Sequence, residues 1–175
     1  MNRDPKFIRK PNRLPLENYR GCCFGFVTSC CYDRLKAFIN GEEAKRNLVV
    51  LKDLAQQYQI TLWAYCFMPD HVHFLLEGLS EESNILTFME RYKQKTGFSY
   101  KQRTGQILWQ KSFYDHILRK DEAIESVVWY IITNPVRSGI VNDFQVYPYI
   151  GSWIIDIKPL EQPLTPEFIP PYKQT

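Results

Sequence analysis

Apolar positions along the chain follow two rhythms, and the switches between them mark the elements. Residues 21–31, Gly-Cys-Cys-Phe-Gly-Phe-Val-Thr-Ser-Cys-Cys, read as a buried strand. Over residues 42–58 the rhythm turns helical, with Ala44, Leu48, Leu51, Ala55 and Tyr58 on one stripe. Ile60 to Phe67 is dense in aromatic and β-branched residues and predicts a second strand. Met68-Pro69-Asp70 predicts a turn, because Pro69 presets φ and Asp70 can bond its own backbone. His71 to Glu77 predicts a third strand, so residues 60–77 form a hairpin. Ser83 to Thr96 predicts a second helix with the stripe Ile85, Phe88, Met89 and Tyr92, stopped by Gly97. Tyr100 to Gly105 reads as a basic loop and Tyr114 to Arg119 as a fourth strand. Residues 121–134 predict a third helix with the stripe Ile124, Val127, Val128 and Ile131, ended by Pro135.

The order β-α-β-β-α-β-α predicts an α+β fold: a ferredoxin-like antiparallel sheet (split βαβ) with helices on one face and an added C-terminal helix. Such a sheet would leave its other face free for a ligand. A less regular α+β sandwich is the alternative. No internal repeat or low-complexity tract divides the chain. Residues 1–20, rich in Arg, Lys, Pro and Asn, read as a basic N-terminal arm, residues 21–155 as one domain, and residues 156–175 as a Pro-rich C-terminal tail.

Composition adds little until it is mapped. The 175 residues are 45% hydrophobic and 23% charged, ordinary for a globular protein, which excludes wholesale disorder. Net charge is only +3. Residues 1–20 nevertheless carry six Lys/Arg against Asp4 and Glu17, and residues 91–120 carry eight against Asp115 alone. Two basic blocks on an otherwise acidic chain point to a polyanion partner or to two solvated faces. The N-terminus has no apolar stretch behind its charges, and no run of about 18 apolar residues occurs. The expectation is a cytoplasmic protein without a membrane span. Cys22, Cys23, Cys30, Cys31 and Cys66 are odd in number and lack zinc spacing, and so read as free thiols in a reducing compartment.

Two constellations carry candidate chemistry. In His71-Val72-His73 the strand period of two sends both imidazoles to one face. Two nitrogen donors on one strand make half of a divalent-metal site, and completion by oxygen ligands would suit Mg²⁺ or Mn²⁺. The other account is two half-exposed histidines on a sheet surface. On the third predicted helix, Tyr130 lies roughly 110° from the centre of the apolar stripe, with Asn134 one turn further on the same flank. A phenol can attack and a carboxamide oxygen can ligate a metal. Otherwise Tyr130 is a rim residue and Asn134 a helix cap.

Met68-Pro69-Asp70-His71-Val72-His73 resembles the His-hydrophobe-His motif of the single-tyrosine HUH transposases. Trp109-Gln110-Lys111-Ser112-Phe113-Tyr114-Asp115-His116 and Tyr130-Ile131-Ile132-Thr133-Asn134-Pro135-Val136-Arg137-Ser138-Gly139 resemble the REP-associated tyrosine transposase branch. The resemblance covers residues 20–155. It implies a ferredoxin-like domain with the catalytic tyrosine on a following helix. It also implies His71 and His73 as metal ligands and Tyr130 as the nucleophile. Asn134 stands where insertion-sequence relatives carry a glutamine, which makes it the implied third ligand.

The implied activity is metal-dependent cleavage and rejoining of single-stranded DNA, beside hairpin repeats, through a 5′-phosphotyrosine intermediate. On that reading Arg91, Lys93, Lys95, Lys101, Arg103 and Lys111 follow the phosphate backbone. Trp109, Phe113 and Tyr114 stack on unpaired bases or pack in the core, core packing being the better account of Phe113. Arg3, Lys6, Arg9, Lys10 and Arg13 of the arm add groove contacts. His116 and Arg137 are assigned to DNA, with a structural strand histidine as the other reading of His116. The resemblance implies a homodimer by its insertion-sequence relatives and a monomer by the REP-associated branch. Two rivals stand beside it: a catalytically silent binder of hairpin DNA or RNA, and a metal-dependent phosphodiesterase that uses water.

Overall fold

The computed structural model describes residues 14–120 and 122–173. In chain order the main elements are β1 (Phe24–Cys30), α1 (Glu42–Tyr58), β2 (Ile60–Met68), β3 (His71–Gly78), α2 (Ile85–Thr104) and β4 (Tyr114–Ile117). They continue with α3 (Ile124–Ile132), the one-turn α4 (Asn134–Arg137) and the two-residue β5 (Ile150–Gly151). The sheet runs β4-β1-β3-β2-β5 with every neighbouring pair antiparallel. The first four strands in this order, with α1 and α2 between them, are the expected split βαβ.

The sheet separates two cores. Val27, Val72, Phe74 and Leu76 point to one face, where Leu51, Phe88, Met89 and Tyr92 of α1 and α2 meet them. Phe26, Leu75 and Cys66 point to the other, against Val127, Val128 and Ile131 of α3. A bulge in β2 between Leu62 and Ala64 shifts its register against β3. The bulge reverses the alternation, so Leu62 serves the first core while Ala64, Cys66 and Met68 serve the second.

Three sequence expectations need correction. First, the face expected to stay open is covered: α3 lies on it, and so do Phe144, Tyr147 and Phe168. Part of the segment 156–175, read as a Pro-rich tail, packs there through Ile157, Leu160, Phe168 and Tyr172. Second, Gly97 does not stop α2, and the basic loop expected at 100–105 is the end of that helix. The helix closes at Gly105, whose φ of 74° is left-handed. A glycine costs an interior helix only about 1 kcal/mol, and here it admits a neighbour. A Cβ on Gly97 would stand 3.3 Å from Trp109 Cδ1. Third, Pro135 does not merely end the helix. It sits in the first turn of α4, where its missing N–H is no loss.

Arg3, Lys6, Arg9, Lys10 and Arg13 lie outside the described residues. Of the expected arm, residues 14–20 are described, and Tyr19 is buried with its hydroxyl donating to Asp115. All five cysteines are free thiols. Cys31 and Cys66 are buried, and burial pushes the Cys30 thiol up to about 11. Among the described residues no helix is long and apolar enough to cross a membrane.

Candidate active site

The alternation of β3 sends Val72 into the α1/α2 core and both His71 and His73 to the α3 side. Their Nε2 atoms converge to 3.1 Å. The remaining ring nitrogens are tied elsewhere. His71 Nδ1 lies 2.6 Å from Asp70 Oδ1, and His73 Nδ1 lies 2.8 Å from Thr28 Oγ1 on the adjacent β1. Thr28 and His73 are register partners, so the sheet ladder itself supplies this contact. Asp70 is fixed by its turn: Cys31 N–H donates to Asp70 O and Phe38 N–H to Pro69 O. Arg34, held at a left-handed φ of 56°, stands 3.7 Å from the Asp70 carboxylate. The bond to His71, more than Arg34, keeps the Asp70 carboxyl below its ordinary range.

His73 is 2% exposed, and burial above all depresses its pKa well below the usual imidazole value, helped by the nearness of His71 and Lys173. It therefore stays neutral near pH 7, the form in which an imidazole can ligate a metal. The spacing of the pair also fits an ion. Two ligands on adjacent corners of an octahedron with bonds of about 2.1 Å stand about 3.0 Å apart. Among the described residues no third His, Cys, Asp or Glu completes a metal-holding cluster. The neutral side chain beside the pair is the carboxamide of Asn134. Its Nδ2 donates to Tyr130 O at 2.7 Å, and its carboxamide also faces His73.

A carboxylate behind a metal-binding imidazole sets its tautomer and raises its basicity; loss of such a partner typically costs 10–100-fold in metal affinity. Asp70→Ala is accordingly expected to weaken Mn²⁺ binding about 10–100-fold, with Asp70→Asn in between, as measured by titration against free Mn²⁺. Equal affinities across the series would remove Asp70 from the site.

Tyr130 departs from its expected rim position. It is 2% exposed, because α3 is roofed by later residues as well as docked on the sheet. Its ring lies edge-on to His73, with centroids 5.9 Å apart, and contacts Phe26 at 5.8 Å and Phe168 at 5.6 Å. Arg137 and Lys173 each stand 5.3 Å from the ring centroid. The buried hydroxyl makes no well-formed hydrogen bond. Tyr172 is its close neighbour, and burial first, then the nearness of Tyr130, raises the pKa of that second phenol. Phenol, two imidazoles and carboxamide thus cluster on the α3 side of the sheet.

The family model described as Transposase IS200 like matches residues 20–134, which hold all four of these side chains. The chain belongs to the IS200-like transposase family. It is similar to a Haemophilus influenzae protein named "Putative REP-associated tyrosine transposase", at 25% identity over 144 residues, covering 76% of this chain and 81% of that one. A second Haemophilus influenzae protein, uncharacterized, is 22% identical over 160 residues, covering 73% of this chain and 88% of its own. Among solved structures, a REP-associated tyrosine transposase bound to a REP hairpin superposes with a TM-score of 0.65 at 16% identity, covering 82% of each chain. That likeness confirms the ferredoxin-like fold.

The basic residues of this IS200-like transposase do not form one surface. Lys93, Lys101, Trp109, Lys111, Tyr114 and His116 line a groove of about 1470 Å³ beside β4, whereas Arg91, Lys95 and Arg103 are not among its lining. Several of the expected DNA contacts have other partners. Lys93 Nζ donates to the Gln110 and Ser112 carbonyls, both at 2.8 Å, and Arg103 pairs with Glu43 at 2.7 Å. Trp109 is buried and its indole N–H donates to Thr96, so it packs the core instead of offering a stacking face. Tyr114 packs on Tyr172 and Arg137 pairs with Glu167. His116 is bonded to Glu122. Phe98, two-thirds exposed in the groove beside Lys101, was missed, as were Thr28, Asp70 and Lys173 at the site. Asp70 alone carried a signal, as the residue before the first histidine in a tight turn.

Proposed function

We propose that this chain cleaves and rejoins single-stranded DNA beside a hairpin, with Tyr130 as the nucleophile and Mg²⁺ or Mn²⁺ held by His71, His73 and the Asn134 oxygen. The observation that carries this reading is the 5.9 Å approach of the Tyr130 and His73 rings, with the two Nε2 atoms of the histidine pair 3.1 Å apart. When bound, the ion would neutralise charge on the scissile phosphate. The Tyr130 oxygen attacks phosphorus, the bond from phosphorus to the 3′ oxygen breaks, and the phenolic proton ends on that oxygen. The products are a 5′-phosphotyrosine and a free 3′-hydroxyl. Attack by another 3′-hydroxyl reverses the step and joins new ends, with one phosphodiester lost and one gained.

The ring of Tyr130 packs beside the imidazole of His73 of the same chain, which is the arrangement a site complete in a single copy requires. The hairpin partner is supported by the REP-hairpin complex of the structural relative. The exposed Lys101, Lys111 and Arg119, lining the same groove as Phe98, offer charge and a stacking face for a strand. DNA can reach Tyr130 only after residues 167–173 move. Phe168→Ala is therefore expected to speed adduct formation several-fold while lowering the thermal midpoint; an unchanged or slower rate would show that these residues do not limit access.

The deciding experiment incubates the protein with 5′- and 3′-labelled hairpin oligonucleotides and Mn²⁺, then resolves the products on denaturing gels. A protein–DNA adduct carrying the 3′ fragment is expected. Cleavage without adduct would favour activated water, and binding without cleavage would favour a silent hairpin binder.

A further inference from the structure

His116 finds no use in the chemistry above, yet it is firmly engaged. Its Nε2 lies 2.8 and 2.9 Å from the two carboxylate oxygens of Glu122, and Arg119 N–H donates to the same carboxylate at 2.7 Å. Glu122 N–H in turn donates to Arg119 O, and Leu118 N–H donates to Phe24 O as the last rung of the sheet. The link between β4 and α3 is thus closed by one carboxylate that gathers a side-chain and a backbone donor. Both ends of this closure lead to the site. His116 is the register partner of Phe26, and the Phe26 ring stacks on His73 and meets Tyr130 edge-on. Glu122 stands two residues before α3 begins, and Tyr130 is on that helix. The N-terminus of α3 has no side-chain cap of its own, so its entry point depends on contacts made just upstream.

We propose that His116 and Glu122 are positioning residues: their pair fixes the start of α3 on β4, and so sets where the Tyr130 hydroxyl lies relative to the histidine pair. The assignment rests on Tyr130 being the nucleophile. Removing the pair frees the helix entry to shift, and misplacement by about 1 Å can cost about a hundredfold in rate. Neither residue is required to touch DNA or metal.

The test uses the full chain with His116→Ala, His116→Gln, Glu122→Ala and the double variant His116→Ala/Glu122→Ala. Glutamine keeps an N–H near the place of Nε2. Three quantities are read: amide hydrogen exchange along α3, oligonucleotide affinity, and the single-turnover rate of adduct formation at saturating DNA with Mn²⁺. His116→Ala is expected to speed exchange in the first turns of α3 while α1 and α2 stay protected. It should slow the adduct about a hundredfold at unchanged oligonucleotide affinity. His116→Gln should recover most of both, and the double variant should be no worse than either single one. Unchanged exchange in α3, or a glutamine variant as impaired as alanine, overturns the clamp. Weakened DNA affinity with an unchanged saturated rate also overturns it and makes His116 a DNA contact. Wild-type protein that forms no adduct, with α3 exchange still following the alanine–glutamine pattern, refutes the nucleophile and leaves the clamp a purely structural one, which overturns its positioning role.

Discussion

Tyr130→Phe is expected to abolish the covalent protein–DNA adduct while leaving oligonucleotide binding intact. The substitution removes one oxygen from a ring whose packing against His73, Phe26 and Phe168 is otherwise preserved. The polar neighbour of that oxygen is the Tyr172 phenol, so its loss costs at most about one hydrogen bond and the fold should persist. Loss of a nucleophile can lower turnover by about 10⁶-fold in covalent enzymes, far below detection on a denaturing gel. Adduct formation by the phenylalanine variant at a rate near wild type would assign the attack to another group. Tyr172 and Tyr114 are the nearby phenols to test next, although burial raises the pKa of both and makes them poorer nucleophiles.

The second large effect concerns the imidazoles. His71→Ala and His73→Ala are each expected to weaken Mn²⁺ binding by more than a hundredfold, because loss of a direct ligand should exceed the 10–100-fold typical of an outer partner. The two should differ in stability. His71 is partly exposed, and its removal leaves Asp70 in contact with solvent. His73 is buried, stacked on Phe26 at 5.7 Å and bonded to Thr28, so its truncation leaves a void and costs Thr28 that bond. The thermal midpoint should fall for His73→Ala and hold for His71→Ala, while adduct formation is lost in both. Calorimetric Mn²⁺ affinity that survives both substitutions would move the metal away from β3.

Much of this was legible in the residues, for reasons that differ by element. The stripes of α1 and α2 identify themselves because one face of each is apolar and the other is not. The two histidines could be placed on one face of a strand because a period of two leaves no freedom. Tyr130 was harder. Its flank of α3 is buried by residues more than thirty positions later, Phe168 and Tyr172, and no local pattern reports such a distant cover. The same holds for the basic residues. Composition shows that Lys93 and Arg103 are charged, but not that backbone carbonyls and Glu43 already claim them. Gly97 misled because a helix stop and a close approach by an indole ring look alike in one dimension.

The β2 bulge and the division of the sheet carry a consequence for motion. The side that holds α1 and α2 is stitched by long elements with regular ladders, and would be the last to exchange its amides. The side that holds Tyr130 and the histidine pair is closed by a nine-residue helix and by irregular chain with few backbone ladders. Partial opening has its lowest cost where such ladders are sparse. A local excursion on that side, with no strand leaving the sheet, would expose Tyr130 and the histidine pair, so stability and access to them can be altered by separate sets of substitutions.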